Sequence, residues 1–167
     1  LADYHIKLKP GTNVAVLNMM LHFILKEKLY NVDFVRDRTE GFENFIKEIE
    51  RQDVDELAKV AGVDKQLVKE AAIAYATAKN SMEFHGLGVT EHEQGSKTVM
   101  LIADLAMITG NIGRKGVGVN PLRGQNNVQG AADMGCQPHQ GAGYFNVADE
   151  KNQKFYSEKY GVTHPTK

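Results

Sequence analysis

Cysteine is almost missing from this chain. The single one, Cys136, excludes an internal disulfide framework and any iron–sulfur or zinc site built from cysteines alone. Neither sign of charge is in excess. Twenty Lys and Arg against 21 Asp and Glu leave a net charge of −1, no electrostatic footprint for nucleic acid or an anionic membrane surface. Long apolar runs are also lacking: the best, Val14 to Leu25, is interrupted by Asn18 and His22, so no membrane span is expected. Leu1 is preceded by no methionine and begins no secretory signal pattern, which leads us to expect an excised or processed piece of a longer polypeptide. What is present, 42% hydrophobic and 25% charged residues over 167 positions, is ordinary globular composition, sufficient for one domain with a sizeable core.

The first half reads as helices. Asp3 to Lys9 alternates loosely and suggests a short extended segment, with Ile6 and Leu8 opposite His5, Lys7 and Lys9. Pro10-Gly11-Thr12 turns the chain, and Thr12 or Asn13 is placed to cap a helix from Val14 to Lys28. Three further amphipathic helices follow over Val32–Arg38, Gly41–Arg51 and Asp53–Ala61, the last closed by Gly62. A fourth begins after Asp64, with Leu67, Ala71, Ala74, Tyr75 and Ala78 on its buried face. None carries a catalytic constellation, and His22 reads as a partly buried helix residue.

From Asn80 the character changes. Ser81–His85 suits a short strand, with Met82 and Phe84 on one face, and leads into a glycine loop, Gly86 to Gly95. Ser96 is placed to start a helix whose body, Val99–Ile108, is apolar nearly all round and therefore buried. Strand, glycine loop and helix in that order suit a phosphate or pyrophosphate. However, Glu91 stands where the dinucleotide fingerprint needs its third glycine. His92 lies between Glu91 and Glu93 with no second histidine one helical turn away, so it reads as a loop histidine of raised basicity and not as a zinc ligand.

Gly110 to Gly135 is the stretch around which the chain is organised. Glycines let a backbone turn through positive φ and approach another surface closely. Here they are interleaved with side-chain amides (Asn120, Gln125, Asn126, Asn127, Gln129) and with Arg114, Lys115 and Arg123. Amides donate and accept at once, and a guanidinium fork matches a carboxylate. The composition suits the gripping of a large polar ligand, although a solvated surface loop is also rich in glycine and polar residues. Beyond it, Cys136 to Tyr144 is turn-rich, Ala148–Tyr160 suits a surface helix around Phe155 and Tyr156, and Thr163 to Pro165 ends in coil.

Thr109-Gly-Asn-Ile-Gly113, Gly118-Val-Asn-Pro-Leu-Arg-Gly-Gln-Asn-Asn-Val-Gln-Gly130 and Asp133-Met-Gly135 closely resemble the catalytic subunits of molybdenum- or tungsten-dependent formate dehydrogenases, members of the molybdopterin oxidoreductase superfamily. Nitrate reductases of that superfamily are expected to differ at Arg-Gly-Gln-Asn-Asn. The resemblance implies an α/β fold: a helix-rich portion of a doubly wound αβα molybdopterin-binding domain with few short strands. Residues 1–147 would be part of the cofactor domain and 148–167 a surface helix and tail. It further implies oxidation of formate to carbon dioxide at a molybdenum or tungsten bis-molybdopterin guanine dinucleotide. Electrons would leave through iron–sulfur clusters bound outside this chain, toward electron-transfer subunits, in a cytoplasmic or alternatively periplasmic enzyme.

By the same resemblance Arg123 would hold the substrate carboxylate. Gln125 would hydrogen-bond near the metal-binding face of the cofactor, and Gly124 would let the backbone come close. Leu87, Gly88 and Glu91, with Gly11 and Thr12, would touch the cofactor's pterin and nucleotide portions. Many relatives carry an amide at the position of Glu91. The family's metal-ligating cysteine lies upstream of the matched region, so Cys136 is expected to be a small buried or half-buried residue. With the metal ligand, the cluster motifs and half of the nucleotide site missing, the chain alone is expected to be inactive. The competing readings are a superfamily relative with another substrate, a subunit that kept the fold without the chemistry, and a non-enzymatic helical interaction module.

Overall fold

The computed structural model of the protein describes residues 2–164. The chain forms two compact units, one reaching to Leu122 and one from Arg123 onward. This division by compactness differs from the 1–147 and 148–167 division by cofactor region expected from the sequence.

The first unit is built around a helix with almost no polar side. α1 (Asn13–Lys26) buries Ala15, Val16, Met19, Leu21, Phe23, Ile24 and Leu25, and Met19, Leu21 and Ile24 are fully enclosed. A helix apolar on most of its circumference must be surrounded. It is: α3 (Phe42–Glu50), α4 (Val54–Ala61), α5 (Lys65–Thr77) and α7 (Gly95–Ile108) all pack on it. The residues before α1 run extended but form no strand; Ile6 and Leu8 lean on the core, and the Lys9 amide donates to the Ala61 carbonyl at 2.9 Å.

Local chemistry sets most of the helix ends. Asn31, Asp53 and Asp64 each accept a backbone N–H from the first turn of the helix that follows, α2 (Val32–Arg38), α4 and α5 respectively. Gly62 ends α4 in the left-handed conformation, at φ 68°. Thr12 stands at the N-cap of α1, but its hydroxyl donates back to the Lys9 carbonyl at 2.6 Å instead of capping the helix.

The buried face of α5 differs from the one expected. Val68 and Ala72 are fully buried, whereas Ala74 and Ala78 are exposed. The alanines at 71, 72, 74, 76 and 78 spread over more than half of the helix circumference and so fix its phase only weakly. The face is set by contact with α1, where the small Ala72 allows close approach.

Beyond α5, β1 (Met82–His85) pairs in parallel with β2 (Gly118–Pro121), in the register Met82 to Gly118 and His85 to Pro121. Met82 and Phe84 do share a face, the exposed one, while His85 points inward. The loop after β1 contains one helical turn, α6 (Leu87–Thr90), and α7 begins at Gly95. Gly95 is required sterically: a Cβ there would lie 2.2 Å from the Thr90 carbonyl oxygen. α7 is buried along Thr98, Ile102, Leu105, Ala106 and Ile108, but Met100 is 66% exposed, so the helix is not enclosed all round.

The second unit holds α8 (Val128–Asp133) and α9 (Glu150–Tyr160). On α9, Gln153 and Tyr156 turn inward and the Tyr156 hydroxyl donates to the Ala142 carbonyl at 2.8 Å. The coil expected from Thr163 to Pro165 reaches Pro165, which lies outside the described residues.

Truncating the enclosing core tests this arrangement. Leu21→Ala on α1 removes a fully buried side chain and is expected to lower stability by about 2–5 kcal/mol, read by urea denaturation of the recombinant chain. A loss below about 1 kcal/mol would show that α1 is not enclosed as described.

Candidate functional site

In the first unit the two turns expected to face a cofactor are joined. Asn13, at the start of α1, contacts His92 through Nδ2 and Nε2 at 2.9 Å. The Gly11-Thr12 turn and the loop carrying Leu87, Gly88 and Glu91 are thereby tied together. On the other side of the ring, His92 Nδ1 accepts the Gln94 N–H at 3.3 Å. Glu91 ends α6, its N–H donating to Leu87 at 2.8 Å, with its side chain exposed.

Two observations in this unit fit the approach of a polar ligand at this loop. An added Cβ at Gly88 would meet nothing within 4 Å and the residue's φ is not left-handed, so the chain itself gives no reason for a glycine. A ligand pressed against the backbone would supply one. His85, at the carboxyl end of β1 directly before the loop, is buried, and its Nδ1 has no hydrogen-bond partner. Carboxyl ends of parallel strands are where such sheets place ligands. The sequence reading assigned His85 no role; the available signal was a histidine abutting a glycine loop.

Behind β1 lies a half-buried polar pair. Tyr75 donates its hydroxyl in a short hydrogen bond to Glu83 Oε1, while Glu83 Oε2 is buried without a partner. Burial pushes the Glu83 carboxyl above its ordinary value, although the Tyr75 hydrogen bond opposes this. Burial, and then the Glu83 carboxylate, push the Tyr75 phenol up.

Thr109, Gly110 and Asn111 build the end of α7. The Gly110 N–H bonds Met107 at 3.0 Å and the Asn111 N–H bonds Ala106 at 2.8 Å, a Schellman closure with Gly110 at φ 69°. The buried Asn111 side chain then accepts from the Ser81 N–H at 3.2 Å and from Arg114 at 2.9 Å, and donates to Thr109 at 2.9 Å, satisfying every element it touches.

In the second unit Arg123, Gly124 and Gln125 are exposed. The guanidinium is thus not enclosed in a cleft by its own unit. It is nevertheless held: Nη2 donates to Gln129 Oε1 at 3.2 Å. Among the described residues no carboxylate pairs with it. Gln129 Nε2 donates to the Tyr144 oxygen at 2.8 Å and more weakly to Asp133 Oδ1 at 3.3 Å, and the Tyr144 hydroxyl donates in a short hydrogen bond to Asp133. The Asp133 hydrogen bond, and then desolvation, push the Tyr144 phenol up, so its proton stays in place. The sequence reading used Gln129 only as one amide among several and gave Tyr144 no role.

Asp133-Met134-Gly135 is again a helix end. The N–H groups of Gly135 and Cys136 return to Ala132 and Ala131, both at 3.0 Å. Cys136 is exposed, contrary to expectation, because its backbone closes the cap and its side chain is left outside the turn. Among the described residues no group of three His, Cys, Asp or Glu side chains could hold a metal ion, and no helix is long and apolar enough to cross a membrane.

Residues 1–163 match the family described as Molybdopterin oxidoreductase. Formate dehydrogenase H of Escherichia coli (strain K12) is 46% identical over 162 residues, 97% of this chain and 23% of that protein. The Assimilatory nitrate reductase catalytic subunit of Bacillus subtilis (strain 168) is 31% identical over 162 residues, again 97% and 23%. Among solved structures, Acetylene Hydratase from Pelobacter acetylenicus superposes with a TM-score of 0.63 at 25% identity, over 69% of this chain and 16% of that one. The chain therefore spans roughly a quarter of the length of the curated relatives it matches.

The buried carboxyl predicts a pH dependence with a definite sign. Because the folded state holds the Glu83 proton more tightly than the unfolded state, stability falls as pH rises from the ordinary value of 4.5 through the raised one. Glu83→Gln keeps an acceptor for Tyr75 and removes the titration. Its stability relative to wild type is expected to improve as pH rises through that window, measured by urea denaturation from pH 4 to pH 7. A difference independent of pH would show that Glu83 is not desolvated.

Proposed function

The chain belongs to the molybdopterin oxidoreductase family, and from that premise we propose that it is an internal part of the catalytic subunit of a formate dehydrogenase. The reaction would convert formate to carbon dioxide, a proton and two electrons. One observation carries the choice of substrate: Arg123, in the Arg-Gly-Gln-Asn-Asn segment, has one edge of its guanidinium on a neutral amide and, among the described residues, no carboxylate partner. An arginine positioned by a neutral group retains full charge and a free fork for a small carboxylate. The higher identity to a protein named a formate dehydrogenase than to one named a nitrate reductase supports the same reading.

The cofactor, proposed as a molybdenum or tungsten bis-molybdopterin guanine dinucleotide, would supply the two-electron acceptor. The residues of this chain would bind and orient. Gly88 would admit the pterin portion against bare backbone, flanked by Leu87 and Glu91, and the turn at Gly11 and Thr12 would meet the nucleotide. Gly124 would let the backbone approach and Gln125 would hydrogen-bond near the metal-binding face. Arg123 would fix the formate carboxylate and offset its loss of hydration in a closed site. Iron–sulfur clusters and electron-transfer subunits would lie outside this chain, and a cytoplasmic enzyme is proposed.

Arg123→Lys in the full-length enzyme keeps the charge and loses the planar fork. It is expected to reduce formate turnover by about a hundredfold or more while metal content stays at the wild-type level. Unchanged turnover would remove Arg123 from the substrate site. The isolated chain is expected to retain no stoichiometric molybdenum or tungsten through gel filtration; a one-to-one metal complex surviving the column would show that the cofactor needs no more of the polypeptide than this.

A further inference from the structure

We propose that Gln129, Asp133 and Tyr144 are the positioning residues of Arg123: a directional hydrogen-bond relay that dictates which way the Gln129 amide faces and thereby fixes the guanidinium. The inference rests on the reading of Arg123 as the substrate-binding group.

The direction of the relay follows from donor and acceptor inventories. Ionised Asp133 can only accept, so Tyr144 must donate its single proton to it. The tyrosine oxygen is then available only as an acceptor toward Gln129, and the amide must present its NH2 there, at 2.8 Å. The same NH2 reaches Asp133 Oδ1 at 3.3 Å. With the nitrogen committed, Gln129 Oε1 is left facing Arg123, whose Nη2 donates to it at 3.2 Å. Turning the amide over would set NH2 against guanidinium and carbonyl against phenol oxygen, losing all three contacts.

A locally unfavourable backbone coincides with this relay. Tyr144 is a non-glycine residue in the left-handed region, at φ 66°. Strain held at one contact points to a role for that contact. Gln129 and Asp133 are four residues apart on α8, so one helical face presents both to the tyrosine.

The test uses the full-length, metal-loaded enzyme with four variants: Tyr144→Phe, Gln129→Leu, Gln129→Glu and Arg123→Lys. Three quantities are read: KM and kcat for formate, the binding constant of nitrate to the oxidised enzyme by calorimetry, and thermal midpoint. Tyr144→Phe removes the hydroxyl and frees the amide to turn over. It is expected to raise KM and weaken nitrate binding by about tenfold each, with kcat within about twofold, as for lost uniform binding. Gln129→Leu should do at least as much, and Gln129→Glu more, because its carboxylate occupies the guanidinium. Combining Tyr144→Phe with Arg123→Lys should add little to Arg123→Lys alone, since both act through one group.

The outcomes separate the relay from the reading beneath it. If Arg123→Lys is inactive while Tyr144→Phe and Gln129→Leu bind nitrate and formate like wild type, the relay is overturned and the substrate site stands. If Tyr144→Phe lowers thermal midpoint and metal content with KM unchanged, its role is structural and the relay is equally overturned. Should Arg123→Lys leave turnover and nitrate binding intact, the underlying reading falls, and the relay with it.

Discussion

The need to enclose α1 governs the first unit. Few helices of this length have so little polar surface, and with Met19, Leu21 and Ile24 fully buried the chain must place a helix on each side of it. α3, α4 and α5 have one apolar stripe each and can serve as walls. α7, itself buried along much of its length, completes the enclosure and carries the glycine loop at its head. The loop's position is therefore a consequence of core packing: once α1 and α7 lie together, the turns that open them are neighbours, and the Asn13–His92 contact ties them. A ligand meeting both turns would be held by a preorganised surface, with little left to order on binding.

Legibility in the sequence followed the locality of the cause. The end of α4 and the start of α5 were readable because Gly62 and Asp64 act within three residues of themselves. The phase of α5 was not, because alanine over more than half of its circumference leaves the choice of face to α1. β2 and α8 were hidden inside the glycine–amide stretch, because Gly118 in a strand, at φ 137°, and Gly130 in a helix are residues that argue against either element. Much of what looked like ligand-gripping composition proves to be helix closure. Gly110-Asn111 and Gly135-Cys136 perform the same Schellman task at the ends of two different helices, and the exposed Cys136 follows directly from that geometry.

The part of the candidate site carried by Arg123 was legible as a residue and illegible as an arrangement. Its identity stood out from the surrounding amides. Its partners did not, since nothing in the letters says that Tyr144 adopts a left-handed backbone or that Gln129 faces one way. No local signal was available, because the helix that carries Gln129 and Asp133 was itself hidden in the sequence; in the structure Asp133 accepts from the hydroxyl and amide that lead back to the guanidinium.

Interposing a neutral amide between Asp133 and Arg123 has an electrostatic rationale. A carboxylate placed directly on the guanidinium would orient it well, but it would also occupy the fork that a small carboxylate ligand needs. An incoming formate would have to displace that partner or share the cation with it. On the proposed reading, the acid would impose direction through Tyr144 and Gln129 without touching the guanidinium, and the cation would keep a free edge for a carboxylate. The orientation of Arg123 would then be delegated to a negative charge that does not neutralise it, with Tyr144, held at φ 66°, as the intermediary.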